Sequence, residues 1–445
     1  MKRGFLNNKK AALYPKGEST TTVVVNPISA PPSNAIKAVA ADREPAVQVM
    51  KVPHGKVKNT ALPAGYIPTK PKMLSEAEAM RANQPAIITI PARSAGQPPD
   101  PDGHSEWIVN GTTKNKVINA PGYPQPVPKS PKGKSYEIKS TPTMGKGVFA
   151  TRDIPMGEII FAERPSIVSP RALKPISKVN PNDYSLADYT KILLFEREQQ
   201  LEMAASRMEP ETRARLMALQ NSHKEDGSGP INGIVRTNGY QVMNLRDGDG
   251  EFKEGDSSNL HYYSVLCDVG SRINHSCIPN VTHAFKISAF SMVFMASRDI
   301  KAEEQLFFSY CGIHKSASDR KAELEPYGIT QCICAACINA TPETDTLRKT
   351  FSARVQAYKS QSLTWEQLPK GRKLPAETLD EMLRFQKAVV KEGLDVNDDY
   401  WTDFIPSLAT AFRKAGKPSE EMMVIREFMK WGNYMKEKRA IRGLA

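Results

Sequence analysis

Alternating apolar and polar positions begin near Tyr136 and predict a β-rich region. Short apolar runs with β-branched residues are separated by turn residues such as glycine and Pro155, which is typical of several short strands. The predicted strands lie in SYEIKST, GVFATRDI, EIIFAERPSIVS, THAFKI and FSMVFMASRDI. Many short strands joined by turns favour a compact, irregular β domain.

A helical pattern interrupts this region over roughly residues 170–258. Ser185 and Asp188 have the spacing of a capping box, and apolar residues then recur at helical intervals. Pro210 is predicted to begin a second helix, because proline is well tolerated in a first turn. We therefore predict a helical insertion within the β domain.

The pattern after Cys337 is helical throughout. Four amphipathic segments follow one another, with Gly393 and Gly416 as predicted helix ends and Pro418 as the start of the last helix. These features predict an all-helical C-terminal domain over residues 341–445.

The first 134 residues have a different composition from the rest. They contain 19 of the 34 prolines and few aromatic residues, so we predict a disordered, basic, proline-rich tail over residues 1–134. Residues 1–137 carry a net charge of +10 out of the +13 of the whole chain. Such a tail allows weak electrostatic contact with nucleic acid, although a solvated arm without a specific partner fits equally well.

The distribution of apolar residues and cysteines narrows the expected compartment. No apolar run approaches the roughly 20 residues that span a bilayer, and the N-terminus lacks the apolar segment of a secretory signal. All six cysteines lie between Cys267 and Cys337, which indicates a metal site rather than a disulfide framework. We expect residence in the nucleus and/or cytoplasm, with no membrane partner.

Three short motifs carry candidate chemistry. Gly145 and Gly147 flank Lys146 between two strands, where they let backbone amides approach a ligand, although a plain hairpin turn has the same pattern. The run NHSCIPN at 274–280 has small polar residues suited to a hydrogen-bonded loop. The run EQLFFSY, an apolar strand, ends at Tyr310.

The fourth motif is a set of three thiols, Cys332, Cys334 and Cys337, within six residues. This spacing suits one zinc ion far better than buried free thiols. Zinc in structural sites takes four ligands in a tetrahedron, so one more ligand is required. Cys277 in the NHSCIPN run is the best candidate, and the two remaining cysteines are interpreted as buried thiols or neighbours of the site.

Together and in this order, the four motifs resemble those of the SET-domain protein-lysine methyltransferases over about residues 135–340. The resemblance implies an α+β fold with a mostly β SET domain at 135–316, in which the NHSC loop and the tyrosine strand form a pseudoknot. It further implies a post-SET zinc region at 317–340. The insertion and the helical C-terminus resemble the branch that pairs SET with a MYND finger, but residues 165–260 contain no cysteine, as in MYND-less fungal relatives.

The resemblance also implies the reaction and its residues. S-adenosylmethionine (AdoMet) would be the methyl donor, and the substrate would be a lysine of a histone tail or another protein. Tyr310 would be the catalytic residue. The residues that match cofactor-binding positions of the family are Gly145, Lys146, Gly147, Asn238, Ser271, Asn274 and His275. Asn238 is followed by glycine, and Asn-Gly is also an ordinary turn pair.

Two departures from the family pattern leave alternatives open. Glu303 stands where the family has glycine, and Thr330 stands where it has an aromatic residue. A catalytically impaired SET protein acting as a zinc-containing, protein-binding scaffold is therefore a second hypothesis. A zinc-containing nucleic-acid binder is a third, and it predicts salt-dependent binding that disappears when residues 1–134 are removed.

Overall fold

The computed structural model describes most of the chain beyond residue 60. The described residues are 21–25, 48–52, 61–71, 74–81, 84–93, 96, 98–247, 262–369 and 371–443. Among them, no helix combines the length and the hydropathy needed to cross a membrane.

The strands and helices can be given in chain order. The strands are β1 Thr21–Val25, β2 Gln48–Val52, β3 Ala86–Ile90, β4 Ser105–Val109, β5 Tyr136–Ser140, β6 Lys146–Ala150, β7 Ile159–Glu163, β8 Ile167–Pro170, β9 Tyr240–Arg246, β10 Tyr262–Leu266, β11 Asn274–His275, β12 Val281–Lys286, β13 Ser291–Ala296 and β14 Phe307–Phe308. The α-helices are α1 Glu76–Arg81, α2 Gly111–Ile118, α3 Leu186–Ser206, α4 Pro210–Met217, α5 Pro230–Asn238, α6 Ala317–Leu324, α7 Ala335–Ile338, α8 Pro342–Glu366, α9 Ala376–Lys391, α10 Ile405–Ala415 and α11 Pro418–Arg442.

Short sheets form the β part of the fold. One sheet has the order β3-β4-β8-β10-β9, a second has β12-β13-β7, and β5 pairs with β6 as a hairpin. A single large core joins these sheets, because buried residues of β3 and β4 pack with those of β6, β10 and β13. The predicted α+β class is confirmed, and each strand predicted from Tyr136 onward is present.

The N-terminal part of this core corrects one prediction. Residues 1–134 were predicted to be a disordered tail, yet β3, β4 and α2 lie within that range. All five residues of β4 are buried, and Trp107 is fully enclosed against the rings of Phe290 and Tyr263. The apolar runs AIITI and SEWIV become stable strands because β4 pairs in parallel with β8, and proline-rich flanks mask this signal in the sequence. Most of residues 1–60 lie outside the described part.

The insertion is helical in α3, α4 and α5, and the C-terminal region is helical, as predicted. The predicted range of 170–258 for the insertion is too long, because β9 lies inside it and pairs with β10 in the five-stranded sheet. Ser185 caps α3 by accepting a hydrogen bond from the Asp188 backbone N–H, and Pro210 occupies the first turn of α4. Gly416 ends α10 with a φ of 77°, and Pro418 begins α11. Helices α8, α9 and α10 enclose their own apolar core, while α11 covers the outer face of β12 and β13.

Candidate functional site

Two distant segments of the chain cross at the centre of the site. Strand β11 pairs in parallel with β14, so that Asn274 lies opposite Phe307 and His275 opposite Phe308. The Asn280 side chain fixes this crossing, since its Oδ1 accepts from the Phe307 N–H at 2.7 Å. The crossing of the NHSCIPN loop with the tyrosine strand is the feature that the predicted pseudoknot requires.

His275 connects the two segments by its ring nitrogens. The Tyr310 backbone N–H donates to His275 Nδ1 at 3.0 Å, so Nδ1 is an acceptor and the ring proton lies on Nε2. Nε2 lies 3.3 Å from the Sγ atom of Cys277. The buried imidazole therefore links the backbone N–H of Tyr310, the predicted catalytic residue, to the cysteine cluster.

The Tyr310 hydroxyl lies at the far side of this crossing. It donates to the Ile273 carbonyl oxygen at 2.5 Å, and the ring packs against the rings of His275 and Tyr327. Burial raises the pKa of the Tyr310 phenol well above its usual range. The phenol thus stays protonated at neutral pH and acts as a polar hydroxyl group rather than as a base.

The predicted glycine motif lies beside Asn274. Gly145 has a φ of 72° in the turn that precedes β6, and Asn274 Nδ2 donates to the Lys146 carbonyl oxygen at 3.1 Å. A Cβ atom on Gly147 would come within 2.5 Å of Gln305 Nε2 and 3.0 Å of Asn274 Nδ2. A larger residue at this position would displace the two amide groups, so glycine keeps them beside the backbone.

Gln305 was not predicted as a site residue. Its Nε2 is buried beside Gly147 and has no hydrogen-bond partner within the described part of the protein. A buried donor without an acceptor is costly, so this atom suits a ligand with an acceptor group next to the glycine motif. The unpaired donor at Gln305 therefore fits the polar, amino-acid end of the expected AdoMet.

The structure also brings Asn238 and Ser271 together. Ser271 Oγ donates to the Asn238 carbonyl oxygen at 3.1 Å and accepts from the Cys267 N–H at 3.1 Å. The Asn238 Nδ2 group is engaged with the carbonyl oxygens of Gln220 and Ile234 at the end of α5. In this structure the Asn238 side-chain nitrogen therefore anchors the helix end, and its carbonyl oxygen positions Ser271.

Four cysteine sulfurs meet at the other end of the crossing. The Sγ atoms of Cys277, Cys332, Cys334 and Cys337 all lie within 4.8 Å of one another, and those of Cys277 and Cys337 are 3.5 Å apart. A tetrahedral zinc ion with Zn–S bonds of about 2.3 Å needs sulfurs about 3.8 Å apart. The four side chains thus match the ligand set of a structural zinc. The guanidinium of Arg320, 3.4 Å from Cys337 Sγ, offsets the negative charge of such thiolates.

A second aromatic residue occupies the region where the sequence departs from the family. Thr330 is exposed and contributes no ring. Tyr327, three residues earlier, instead packs against Tyr310 with 5.2 Å between ring centroids. The aromatic neighbour of Tyr310 is therefore present but supplied from a different position, which motif spacing alone does not reveal.

Comparison with known proteins defines the class of this site. Residues 145–311 match the family model of the SET domain, so the chain contains a SET domain that spans the glycine motif, the NHSC loop and Tyr310.

Particular relatives share this domain. Histone-lysine N-methyltransferase set5 of Schizosaccharomyces pombe is 28% identical over 45% of this chain and 50% of its own length. The SET domain and MYND-type zinc finger protein 6 of the same organism is 38% identical over 20% of this chain and 18% of its own. Protein-lysine N-trimethyltransferase SMYD5 of Gallus gallus is 30% identical over 22% of each. The chain thus spans half or less of the length of these relatives.

A solved structure of Rubisco LSMT bound to AdoMet overlaps 73% of this chain and 91% of its own. The identity is 14% and the TM-score 0.24, a level of similarity that supports no argument about function.

Proposed function

We propose that the protein is an AdoMet-dependent protein-lysine N-methyltransferase. The observation that carries this proposal is the position of Tyr310 at the crossing of β11 and β14, where its backbone N–H donates to His275 and its hydroxyl donates to the Ile273 carbonyl oxygen. The SET domain and the methyltransferase names of set5 and SMYD5 support the same reaction.

The cofactor would lie along the glycine motif and the loop before β11. When bound, AdoMet supplies an electrophilic methyl group on a sulfonium centre. The backbone at Gly145–Gly147, with Lys146 and Asn274, would hold its amino-acid end, and the backbone near Ser271 and His275 would hold its nucleoside end. Gln305 Nε2, the buried donor without a partner in the described protein, adds a hydrogen bond to the amino-acid end.

The protein must present a neutral lysine amine to the methyl group. A free lysine has a pKa of about 10.4, and a desolvated channel beside a cation lowers it. Rings of Tyr240, His283 and Phe308 pack on one another next to the tyrosine strand and form an apolar environment. The protonated Tyr310 hydroxyl and the Ile273 carbonyl then orient the amine, so alignment and exclusion of water carry the catalysis.

One structural zinc is part of the proposal. The sulfur atoms of the four clustered cysteines would hold it, which ties the NHSC loop to the segment that follows Tyr327. Because β11 lies two residues before Cys277, the ion would also stabilise the crossing on which Tyr310 depends.

The proposed substrate is a lysine in a histone tail or in another protein, and the proposed compartment is the nucleus and/or cytoplasm. A substrate panel should therefore combine core histones with whole-cell protein. The basic N-terminal region would contribute at most weak electrostatic contact with nucleic acid.

The test is methyl transfer from radiolabelled AdoMet to that panel, with AdoMet affinity measured separately by titration calorimetry. Tyr310→Phe removes only the hydroxyl, and we expect it to lower turnover by about 100-fold or more while AdoMet affinity changes less than about threefold. Tyr327→Phe is the matched control, because it keeps the ring packed on Tyr310, and its turnover should stay close to that of the unmodified protein.

Three outcomes separate the hypotheses. Lysine label that disappears in Tyr310→Phe and persists in Tyr327→Phe supports the methyltransferase. Equal labelling by Tyr310→Phe and the unmodified protein contradicts the role of the hydroxyl. A folded, zinc-loaded protein that binds no AdoMet would leave the scaffold as the better hypothesis.

A further inference from the structure

The loop between β10 and β11 is held by one carboxylate. Glu163, the last residue of β7, accepts hydrogen bonds from three consecutive backbone N–H groups. Its Oε2 accepts from Asp268 at 3.0 Å and from Val269 at 3.1 Å, and its Oε1 accepts from Gly270 at 2.6 Å. Consecutive amides converging on one carboxylate fix the direction of the chain just before Ser271.

The same loop is restrained from the opposite side. The Tyr240 hydroxyl donates to the Gly270 carbonyl oxygen at 2.7 Å. A Cβ atom on Gly270 would lie 2.2 Å from the ring of Phe294, so the backbone packs directly on that ring. Ser271 Oγ is also bonded to the Asn238 carbonyl oxygen, so the loop is held on both sides where it leads into the predicted cofactor residues.

No cation is paired with Glu163 among the ion pairs of the described residues. The titratable groups that influence its electrostatics are Asp268 on the same loop, Tyr136 on β5, Tyr240 on β9 and Cys267 at the end of β10. Burial, with a smaller contribution from the Asp268 charge, raises the pKa of Glu163 to about 7 against the opposing effect of the three amides.

The negative charge of Asp268 is partly offset by two arginines. Its carboxylate pairs with Arg215 at 2.7 Å and with Arg272 at 3.1 Å. These arginines therefore face Asp268 rather than Glu163, and the Glu163 carboxylate depends on backbone amides for its stabilisation.

We propose that Glu163 is a positioning residue that orders the 268–270 loop and makes AdoMet affinity fall when its carboxylate is protonated. The inference rests on the proposed function for its cofactor, but the ordering of the loop does not. An ionised carboxylate accepts all three N–H groups, whereas a protonated one turns an O–H donor toward them and loses at least one bond. The loop then loosens immediately before Ser271, Asn274 and His275.

The direction of the pH effect follows from this geometry. Above pH 7 the carboxylate is ionised and the loop is ordered, and as the pH falls through 7 the fraction with an ordered loop declines. If AdoMet binds the form with ionised Glu163, one linked proton makes the dissociation constant about tenfold larger at pH 6 than at pH 8. Binding of AdoMet near pH 7 should likewise release a fraction of a proton.

The experiment uses the full-length, zinc-loaded protein and two readouts. Titration calorimetry with AdoMet at pH 6 and pH 8 gives the dissociation constant. Hydrogen exchange without AdoMet gives the protection factors of the 268–270 amides, which correct for the intrinsic pH dependence of exchange. The variants are Glu163→Gln, which cannot ionise, and Asp268→Asn, which keeps the backbone N–H but removes the nearby negative charge.

We expect affinity and protection to fall together in the unmodified protein between pH 8 and pH 6. Glu163→Gln should bind AdoMet weakly at both pH values, so its affinity and its protection should not differ between pH 8 and pH 6. Asp268→Asn should move the midpoint of the change to lower pH. Comparison between variants also removes the titration of AdoMet itself, which is common to all of them.

Unchanged protection of the 268–270 amides across this pH range, or a Glu163→Gln protein that matches the unmodified one, would overturn the proposal. If Glu163→Gln does not fold, the proposal is still tested by comparing the unmodified protein with Asp268→Asn. The pH midpoint of the change in affinity and protection must then be lower in Asp268→Asn. If AdoMet does not bind at all, the exchange data still test the role of Glu163, and the methyltransferase proposal is the one that fails.

Discussion

At the scale of single residues, Glu303 has an uncommon backbone conformation. Its φ is 65°, in the left-handed region that favours glycine, and its N–H donates to the Ala150 carbonyl oxygen in the turn before the tyrosine strand. A side chain in this region costs about 1 kcal/mol relative to glycine. The exposed carboxylate pairs with Lys139, which also contacts Glu137, so little stabilisation offsets the strain.

Replacement of Glu303 by glycine should therefore stabilise the protein. After the larger unfolded-state entropy of glycine is subtracted, we expect Tm to rise by about 1–3 °C in differential scanning calorimetry. Glu303→Ala is the matched control, since it removes the ion pair but keeps the Cβ atom, and its Tm should not rise. A lower Tm for the glycine variant would show that the carboxylate matters more than the backbone conformation.

Residues in contiguous motifs could be predicted, and residues that act across the fold could not. Gly147, Asn274, His275 and Tyr310 were identified from their order along the chain, and the structure places them at one crossing. Glu163, by contrast, lies more than 100 residues from the backbone N–H groups that donate hydrogen bonds to it. A contact that forms only through tertiary packing leaves no periodic signal in the sequence.

At the scale of elements, the cysteine cluster joins a loop and the short helix α7. Cys277 comes from the NHSC loop, whereas the other three sulfurs surround the start of α7. A second group of possible ligands, His275, Cys277 and Cys311, lies beside it and shares Cys277. The four thiols match zinc better, because structural zinc sites use four protein ligands.

Cys332→Ser should reduce bound zinc, measured by plasma mass spectrometry, from about one ion per chain to well below half. The proposed methyl transfer should fall with the ion, since the metal would no longer join α7 to the NHSC loop. Cys311→Ser is the matched control and should retain a full equivalent of zinc. Zinc lost from Cys311→Ser and kept by Cys332→Ser would place the ion in the neighbouring group instead.

Element prediction succeeded where the pattern was local. Strands β5 to β8, β12 and β13 and the helices from Pro342 onward follow from alternation, helical spacing, caps and first-turn prolines, whereas β9 and β10 were not predicted. Strands β3 and β4 were missed because five-residue apolar runs between prolines are ambiguous on their own. Strand β4 is stabilised by parallel pairing with β8, about 60 residues away in the chain, and β3 by antiparallel pairing with β4.

At the scale of the whole molecule, the N-terminal region and the SET domain share one sheet. The family model begins at residue 145, but β4 lies between β3 and β8 inside the sheet. A buried ion pair also connects the two regions, because Glu106 on β4 lies 2.9 Å from Arg207 at the end of α3. The sheet is therefore incomplete without the residues that precede the family model.

Two truncations should differ sharply in stability. Removal of residues 1–60 should change Tm by less than about 2 °C, because the large core begins beyond it. Removal of residues 1–134 deletes Trp107 and leaves β8 as an exposed apolar edge, so we expect loss of cooperative unfolding or aggregation. As a point test, Trp107→Ala in the full chain should lower the free energy of unfolding by about 3–5 kcal/mol. Equal Tm values for the two truncations would contradict the shared sheet.

The distance in sequence between the clustered cysteines also has a consequence for how the protein is made. Cys277 leaves the ribosome 55 residues before Cys332, an interval of about 3–11 s at ordinary rates of translation. During that time every strand of the five-stranded sheet and helices α3 to α5 are already outside the ribosome, whereas three of the four clustered sulfurs are not. Assembly of the proposed zinc site would therefore be a late event that depends on zinc supply, and zinc shortage would leave chains whose sheet and insertion are synthesised but whose NHSC loop is not yet joined to α7 through the metal.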